Sequence, residues 1–337
     1  MRAGLLTLVF ISSLHAQFKT STPLVLAPTT VTDSKGHYID GLTPADLTLF
    51  DNNVPQPIQL DFTANPISLV VAVQTSTNSG PVIDKLGTSG ILFSQLLAAD
   101  AGETAMLSFS DHVRIQQDFT TDSDALTHSL RDLRKEGGKA RTLDAMMQAL
   151  DMLEMRPPSR RRIILVIGER RDRGSRTPLP EVVARIERLN ATVYWLTYSP
   201  FLEPFTTKPK TMEDLKPEAE RIKATPCTLC PQPDDRPAPY DPGPGNPIYA
   251  IGELIRLRQP DLSTLFPITT GGRTLSFVKR NALEQAIQLV SEEVHRQYIL
   301  SFQPIAATPG QFHTIRVAVK DHPGAQARTR AGYWTLE

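Results

Sequence analysis

From Ile67 to Thr197, apolar runs of strand length alternate with amphipathic runs of helix length, which predicts an α/β three-layer sandwich with a mostly parallel central sheet. The clearest run, Arg162-Ile163-Ile164-Leu165-Val166-Ile167, is apolar at every position after its first, as a strand covered on both faces must be. Short alternating strands near both chain ends add a small β-module to that sandwich.

The first sixteen residues carry Arg2, the apolar run Gly4 to Ile11 and then Ser12-Ser13-Leu14-His15-Ala16, the three-part layout of a secretory signal. Residues 1–16 are therefore expected to be a signal peptide cleaved after Ala16, which makes the protein secreted or periplasmic. The apolar run is too short to span a bilayer as an ordinary helix and no later run is long enough, so no stable membrane insertion is expected. Residues 24–62 read as the first part of the β-module, short strands broken by turns. Val31-Thr32 runs into Asp33-Ser34-Lys35-Gly36, Thr43 caps one helical turn at Pro44-Ala45-Asp46-Leu47, and Ile58-Gln59-Leu60 alternates. This piece is too short for a core of its own and needs a partner from elsewhere in the chain.

Residues 66–198 carry the first part of the α/β core. Ile67 to Val73 is a buried strand, Ile83 to Ala98 has helical spacing, and Glu103 to Phe109 with Val113 to Gln117 forms a hairpin that lays an antiparallel edge on the sheet. Helices are predicted from Asp122 to Leu133, from Thr142 to Met155 with Pro157-Pro158 as its stop, and from Leu179 to Leu189; a strand follows at Thr192 to Thr197. Residues 200–247 break the rhythm, with prolines crowded between Pro231 and Pro247, and read as an extended, partly disordered surface insertion. The core resumes over 248–296, with helices at Tyr249 to Leu257 and Asn281 to His295 on either side of a turn and edge strand at Gly271 to Phe277. Residues 297–334 complete the β-module with two half-buried strands, Gln297 to Phe302 and Phe312 to Lys320, the expected partners of the amino-terminal ones.

The 36 basic and 36 acidic side chains cancel, so no long-range field favours nucleic acid or an anionic membrane. The basic clusters Arg160-Arg161-Arg162 and Arg170-Arg171-Asp172-Arg173 flank one buried strand and read as its solvated ends; no nucleic-acid partner is expected. Cys227 and Cys230 lie in Pro-rich sequence. A local disulfide suits an exported protein, while half of a zinc site or a redox CxxC would need supporting context.

In open α/β sheets function gathers outside the carboxyl ends of the strands. There Val73 runs into Gln74-Thr75-Ser76-Thr77-Asn78-Ser79-Gly80, placed like an ion-binding loop yet without a carboxylate until Asp84. Several phrases resemble the von Willebrand factor type A domain, a Rossmann-like fold, and more narrowly the related family of acidobacterial secreted proteins. They are Val31-Thr32-Asp33-Ser34-Lys35-Gly36, Gly41-Leu42-Thr43-Pro44-Ala45-Asp46-Leu47, Leu107-Ser108-Phe109-Ser110-Asp111, Gln117-Asp118-Phe119-Thr120, Ala191-Thr192-Val193-Tyr194, Gly271-Gly272-Arg273 and the closing Arg330-Ala331-Gly332-Tyr333-Trp334. The resemblance covers Leu24 to Trp334 apart from the Pro-rich insertion.

Domains of that type often hold a divalent cation on three loops, the metal-ion-dependent adhesion site, and the cation takes a carboxylate from a protein partner. The resemblance puts Gln74, Ser76 and Asn78 on the Asp-x-Ser-x-Ser positions, Ala140 on the threonine position four residues before Asp144, and Glu169 on the aspartate position of the third loop. Three of five ligands are thus changed, and the site is expected to be degenerate, with no metal and no cofactor. Thr142 would stand in for the missing threonine if the loop shifts by two residues.

An unknown protein partner is expected at this face, at Gln74, Ser76, Asn78, Ala140, Arg141, Glu169 and Arg170, because arginine forks match carboxylates without a bridging ion. The bland alternative is a polar rim with Glu169 paired to an arginine. A further alternative is a scaffold or assembly component that makes contact through its β-module. No catalytic residue is assigned: a hydrolase built on Ser76 would need an ordered base, and no histidine falls in a loop predicted to face it. Glu136-Gly137-Gly138-Lys139-Ala140-Arg141-Thr142 lacks the spacing of a phosphate loop.

Overall fold

Successive side chains on a strand point to opposite faces, and in the computed structural model this period divides each central strand between two cores. The structure describes residues 24–61, 66–77, 79–86, 102–198, 260–277, 280–305 and 311–335. The chain begins with β1 (Val25–Thr32), β2 (Leu47–Asp51), β3 (Val54–Gln56) and β4 (Gln59–Asp61). It enters the core through β5 (Ile67–Gln74), α1 (Gly80–Leu86), β6 (Glu103–Phe109), β7 (Val113–Thr120), α2 (Ser123–Asp132), α3 (Thr142–Glu154), β8 (Arg161–Gly168), α4 (Leu179–Leu189) and β9 (Thr192–Tyr198). Then follow α5 (Leu262–Thr270), β10 (Thr274–Phe277), α6 (Arg280–Arg296), β11 (Tyr298–Phe302), β12 (Phe312–Val319), β13 (Gln326–Arg328) and β14 (Gly332–Trp334).

The central sheet has the order β10-β9-β8-β5-β6-β7 and is parallel except for β7, which returns antiparallel to β6. Val70, Ala72, Leu107, Ile164, Val166 and Trp195 pack with α3, α4 and α5; Leu69, Val71, Val73, Met106, Leu165 and Leu196 pack with α1, α2 and α6. Burying one such side chain stabilises the fold by about 1.5–3 kcal/mol relative to leaving it in water. The protein is the α/β three-layer sandwich that its alternation predicts.

Both chain ends fold together outside this core. Two four-stranded sheets, β13-β1-β11-β4 and β14-β12-β2-β3, enclose Val25, Ala27, Leu49, Leu300, Phe302 and Val317. Val25 lies opposite Phe302 and Leu49 opposite Val317, so the amino-terminal strands do find their partners at the far end of the sequence. Inside, buried Asp51 accepts hydrogen bonds from the Tyr333 hydroxyl at 2.9 Å and lies 2.8 Å from His313 Nδ1. The module is tied to the core by Arg330, which forms a buried ion pair with Glu187 of α4 and donates to Asn190 Oδ1 at 2.9 Å.

Helix α5 and the short strands β3, β13 and β14 are absent from the sequence-based expectation; for α5 the reason is that Pro267 in its interior and the β-branched Thr264, Ile268, Thr269 and Thr270 all argue against a helix. Proline cannot donate to Ser263 O four residues back; the Thr274 hydroxyl donates to that carbonyl instead. Most element ends shift by a residue or so, and the larger differences are that α1 starts at Gly80 rather than Ile83 and β7 continues to Thr120 rather than stopping at Gln117. The proposed signal at 1–16, the Pro-rich stretch 200–247 with Cys227 and Cys230, the helix expected at Tyr249 to Leu257 and Asn78 all lie outside the described residues.

Candidate functional site

The loops after β5, β6 and β8 and the connection between α2 and α3 meet at one end of the sheet, and backbone hydrogen bonds stitch them together. Glu136 N–H donates to Thr75 O at 2.8 Å, Arg141 N–H to Ser110 O at 3.1 Å, and Arg173 N–H to Ala140 O at 2.7 Å. Between them Gly137 and Gly138 take positive φ values of 85° and 78°. A Cβ on Gly138 would fall 2.1 Å from Asp111 Oδ2, so the glycine there permits both the backbone conformation and the close approach. The other oxygen of Asp111 accepts from Lys139 N–H at 3.0 Å.

Gln74 lies at the centre and is 1 % exposed. Its Nε2 donates to Ser76 Oγ at 2.6 Å, and its Oε1 accepts the Glu169 N–H at 2.7 Å. One neutral amide therefore joins the first loop to the third. Ala140 is buried and offers only its carbonyl, which also accepts from the Thr142 hydroxyl at 3.4 Å. Glu169 is 6 % exposed, and its carboxylate lies 3.4 Å from the Arg173 guanidinium.

At the described ligand positions the polar side chains are engaged within the protein. Both polar atoms of Gln74 are engaged within the protein, Ala140 has no side-chain ligand, Thr142 is turned to a backbone carbonyl, and Glu169 faces a guanidinium. Magnesium in particular demands near-octahedral oxygen ligands. Among the described residues no three His, Cys, Asp or Glu side chains converge as a ligand group.

Two acidic residues hold the third loop in place, and their roles are not evident from sequence spacing. Asp172 accepts from Leu143 N–H at 3.1 Å and from both Ser175 donors, so it caps the start of α3 from a neighbouring loop. Asp144, in the first turn of that helix, accepts from Arg176 N–H at 3.0 Å and from the amide and hydroxyl of Thr177. Arg141 at the N-cap position has no capping side-chain bond. Tyr198, at the end of β9, is buried with a hydroxyl that finds no hydrogen-bond partner among the described residues. Burial first, and then the Glu169 charge, push that hydroxyl well above the ordinary tyrosine range, so it stays protonated.

Most of the exposed charged side chains here are cationic. Arg170 is 60 % exposed and only 3.8 Å from its carboxylate partner Asp261, while Arg173, Lys139 and Arg171 are also exposed. Of the residues expected here from sequence, Gln74, Ser76, Ala140 and Glu169 form the floor, Arg141 is half-buried, and Arg170 stands at the rim.

These loops are the region in which the sequence matches a known family: residues 74–170 match the von Willebrand factor type A domain. No curated protein sequence matches this chain. Among solved structures, BatB from Bacteroides thetaiotaomicron is similar at 14 % identity over 67 % of this chain and 99 % of that one, with a TM-score of 0.39. The vWF domain of the type V pili tip protein Mfa5 from Porphyromonas gingivalis is similar at 18 % identity over 31 % of this chain, with a TM-score of 0.29, and this chain spans only 38 % of its length. The SpRpn10 VWA domain is similar at 13 % identity over 40 % of this chain and 76 % of that one, with a TM-score of 0.33.

Proposed function

We propose that this protein is an exported, non-enzymatic interaction module, of the von Willebrand type A-related family of acidobacterial secreted proteins, that binds a protein partner at the strand-end face without a divalent cation. The observation that supports this most is the Gln74 side chain, whose amide joins the two loops that a cation would otherwise join. Above that floor Arg170 and Arg173 each have one long ion pair and face solvent, so a carboxylate of a partner is the group they suit. Ser76, the nucleophile of the hydrolase alternative, is 4 % exposed and hydrogen-bonded to Gln74, which disfavours that reading.

The experiment is capture of the partner followed by cross-link mapping, with and without EDTA. Cross-links near Lys139, insensitive to chelation and lost in Arg170→Glu/Arg173→Glu, are expected. Cross-links confined to Lys35 and Lys320 would instead make the β-module the contact surface. Calorimetric titration of magnesium, calcium and manganese is the companion measurement: sub-micromolar binding abolished by Ser76→Ala would overturn the metal-free reading.

A further inference from the structure

A cavity lies away from these loops, where the β-module meets the core at the amino-terminal end of β10. It has a volume of about 530 Å³, and its lining includes Tyr38, Pro267, Ile268, Arg273, Glu293 and Arg328. That is within the size range of small-ligand sites. Its charge is unevenly engaged. Arg328 donates to Gly271 O at 2.9 Å and to Gly272 O, reaches Thr30 Oγ1 at 3.4 Å, and pairs with Glu293 at 2.6 Å. Glu293 is 1 % exposed, so the ion pair rather than solvent meets its charge, and neither carboxylate oxygen has a hydrogen-bond partner among the described residues.

Arg273 differs. Its one ion pair among the described residues is with the other Glu293 oxygen at 3.6 Å, longer than a hydrogen bond, and its side chain is 44 % exposed. The lining thus has two guanidinium groups against one carboxylate, and among the described residues the second guanidinium has no partner for most of its donors. Beside it Ile268 is 53 % exposed on a surface shared with Pro267, an apolar wall next to a cation. Tyr38 completes the chemistry: burial, and next the Glu293 charge, raise its pKa, so it remains a hydroxyl donor at neutral pH.

We propose that this junction cavity binds a small aliphatic carboxylate, its head group forked by Arg273 and hydrogen-bonded by Tyr38, its chain against Ile268 and Pro267. A neutral amide would forfeit the charge-assisted pair, and an inorganic anion would leave the apolar wall in water.

The test is titration of the whole protein with hexanoate, hexanamide and inorganic phosphate, followed by NMR at the Ile268 methyl groups. Saturable shifts with hexanoate, and binding about tenfold or more weaker for hexanamide, are expected from the loss of a charge-assisted hydrogen-bond pair. Arg273→Gln should weaken hexanoate to a similar degree and Ile268→Asp should abolish it, whereas Arg170→Ala, at the other face, should leave it unchanged. Both substituted side chains are substantially exposed, so the variants should fold, and thermal melts check that. Equal affinity for hexanamide, phosphate binding that matches hexanoate, no saturable shift, or full binding by Arg273→Gln would each overturn the proposal.

Discussion

Gln74→Ala is the substitution that tests the site most directly. The native amide makes two buried hydrogen bonds, to Ser76 Oγ and from Glu169 N–H. Removing it orphans a buried backbone donor, at about 1–3 kcal/mol, and forfeits the hydroxyl partner, at about 1 kcal/mol. The expected loss is therefore about 2–4 kcal/mol, which in a domain of this kind lowers Tm by roughly 4–16 °C. Urea unfolding followed by circular dichroism gives the midpoint. Gln74→Met is the control, because it keeps the volume and removes only the polar atoms, so it should lose most of the same stability. A loss below about 0.5 kcal/mol in both variants, the size of an ordinary surface change, would refute the idea that Gln74 braces the loops.

The same geometry predicts that Gln74→Asp, Ala140→Thr and Glu169→Asp together create cation affinity; manganese calorimetry should turn from flat to saturable, and a flat titration would show that these positions are not what excludes the ion. Arg330→Met leaves Glu187 as a buried unpaired carboxylate and should cost about 3–5 kcal/mol at neutral pH. Burial raises the Glu187 pKa above its ordinary 4.5 even with Arg330 opposing, so stability at this group is highest below that value and falls as pH rises through the raised one; the variant should show a steeper fall in urea midpoints from pH 4 to 7. Tyr333→Phe removes the donor to buried Asp51 and should cost about 1–3 kcal/mol by the same measurement. In the native chain burial, and next the Asp51 hydrogen bond, hold the Tyr333 pKa above its ordinary 10, so the stability it contributes is complete below pH 10 and declines only in stronger alkali.

Much of the architecture was legible because its elements obey one period each. Ile163 to Ile167 is apolar on both faces, and only a strand between two helical layers satisfies that. Helix α5 was hidden because its support is tertiary: the Thr274 hydroxyl that replaces the missing Pro267 donor follows it in the chain, beyond a turn. At the site, sequence could align Gln74, Ala140 and Glu169 with ligand positions but could not show that Gln74 faces inward to two partners. Nor could spacing reveal that Asp172 caps α3, since the two are joined only through folding. The junction cavity was invisible for the same reason, as Tyr38, Arg273, Glu293 and Arg328 come from four separate stretches.

The pairing of β1 with β11 has a consequence for how the chain reaches its native state. Val25 is among the first described residues to be synthesised and Phe302 among the last, yet they are cross-strand neighbours. Until the ribosome has delivered β11 and β12, the strands β1 and β2 present open edges and an uncovered apolar face, while the α/β core has most of its own partners in hand. The core should therefore order first and the β-module last. A truncation before Tyr298 would leave β1 and β4 without their partners beside a formed core, so completion of the β-module, rather than any step inside the core, sets the moment at which these strand edges are covered.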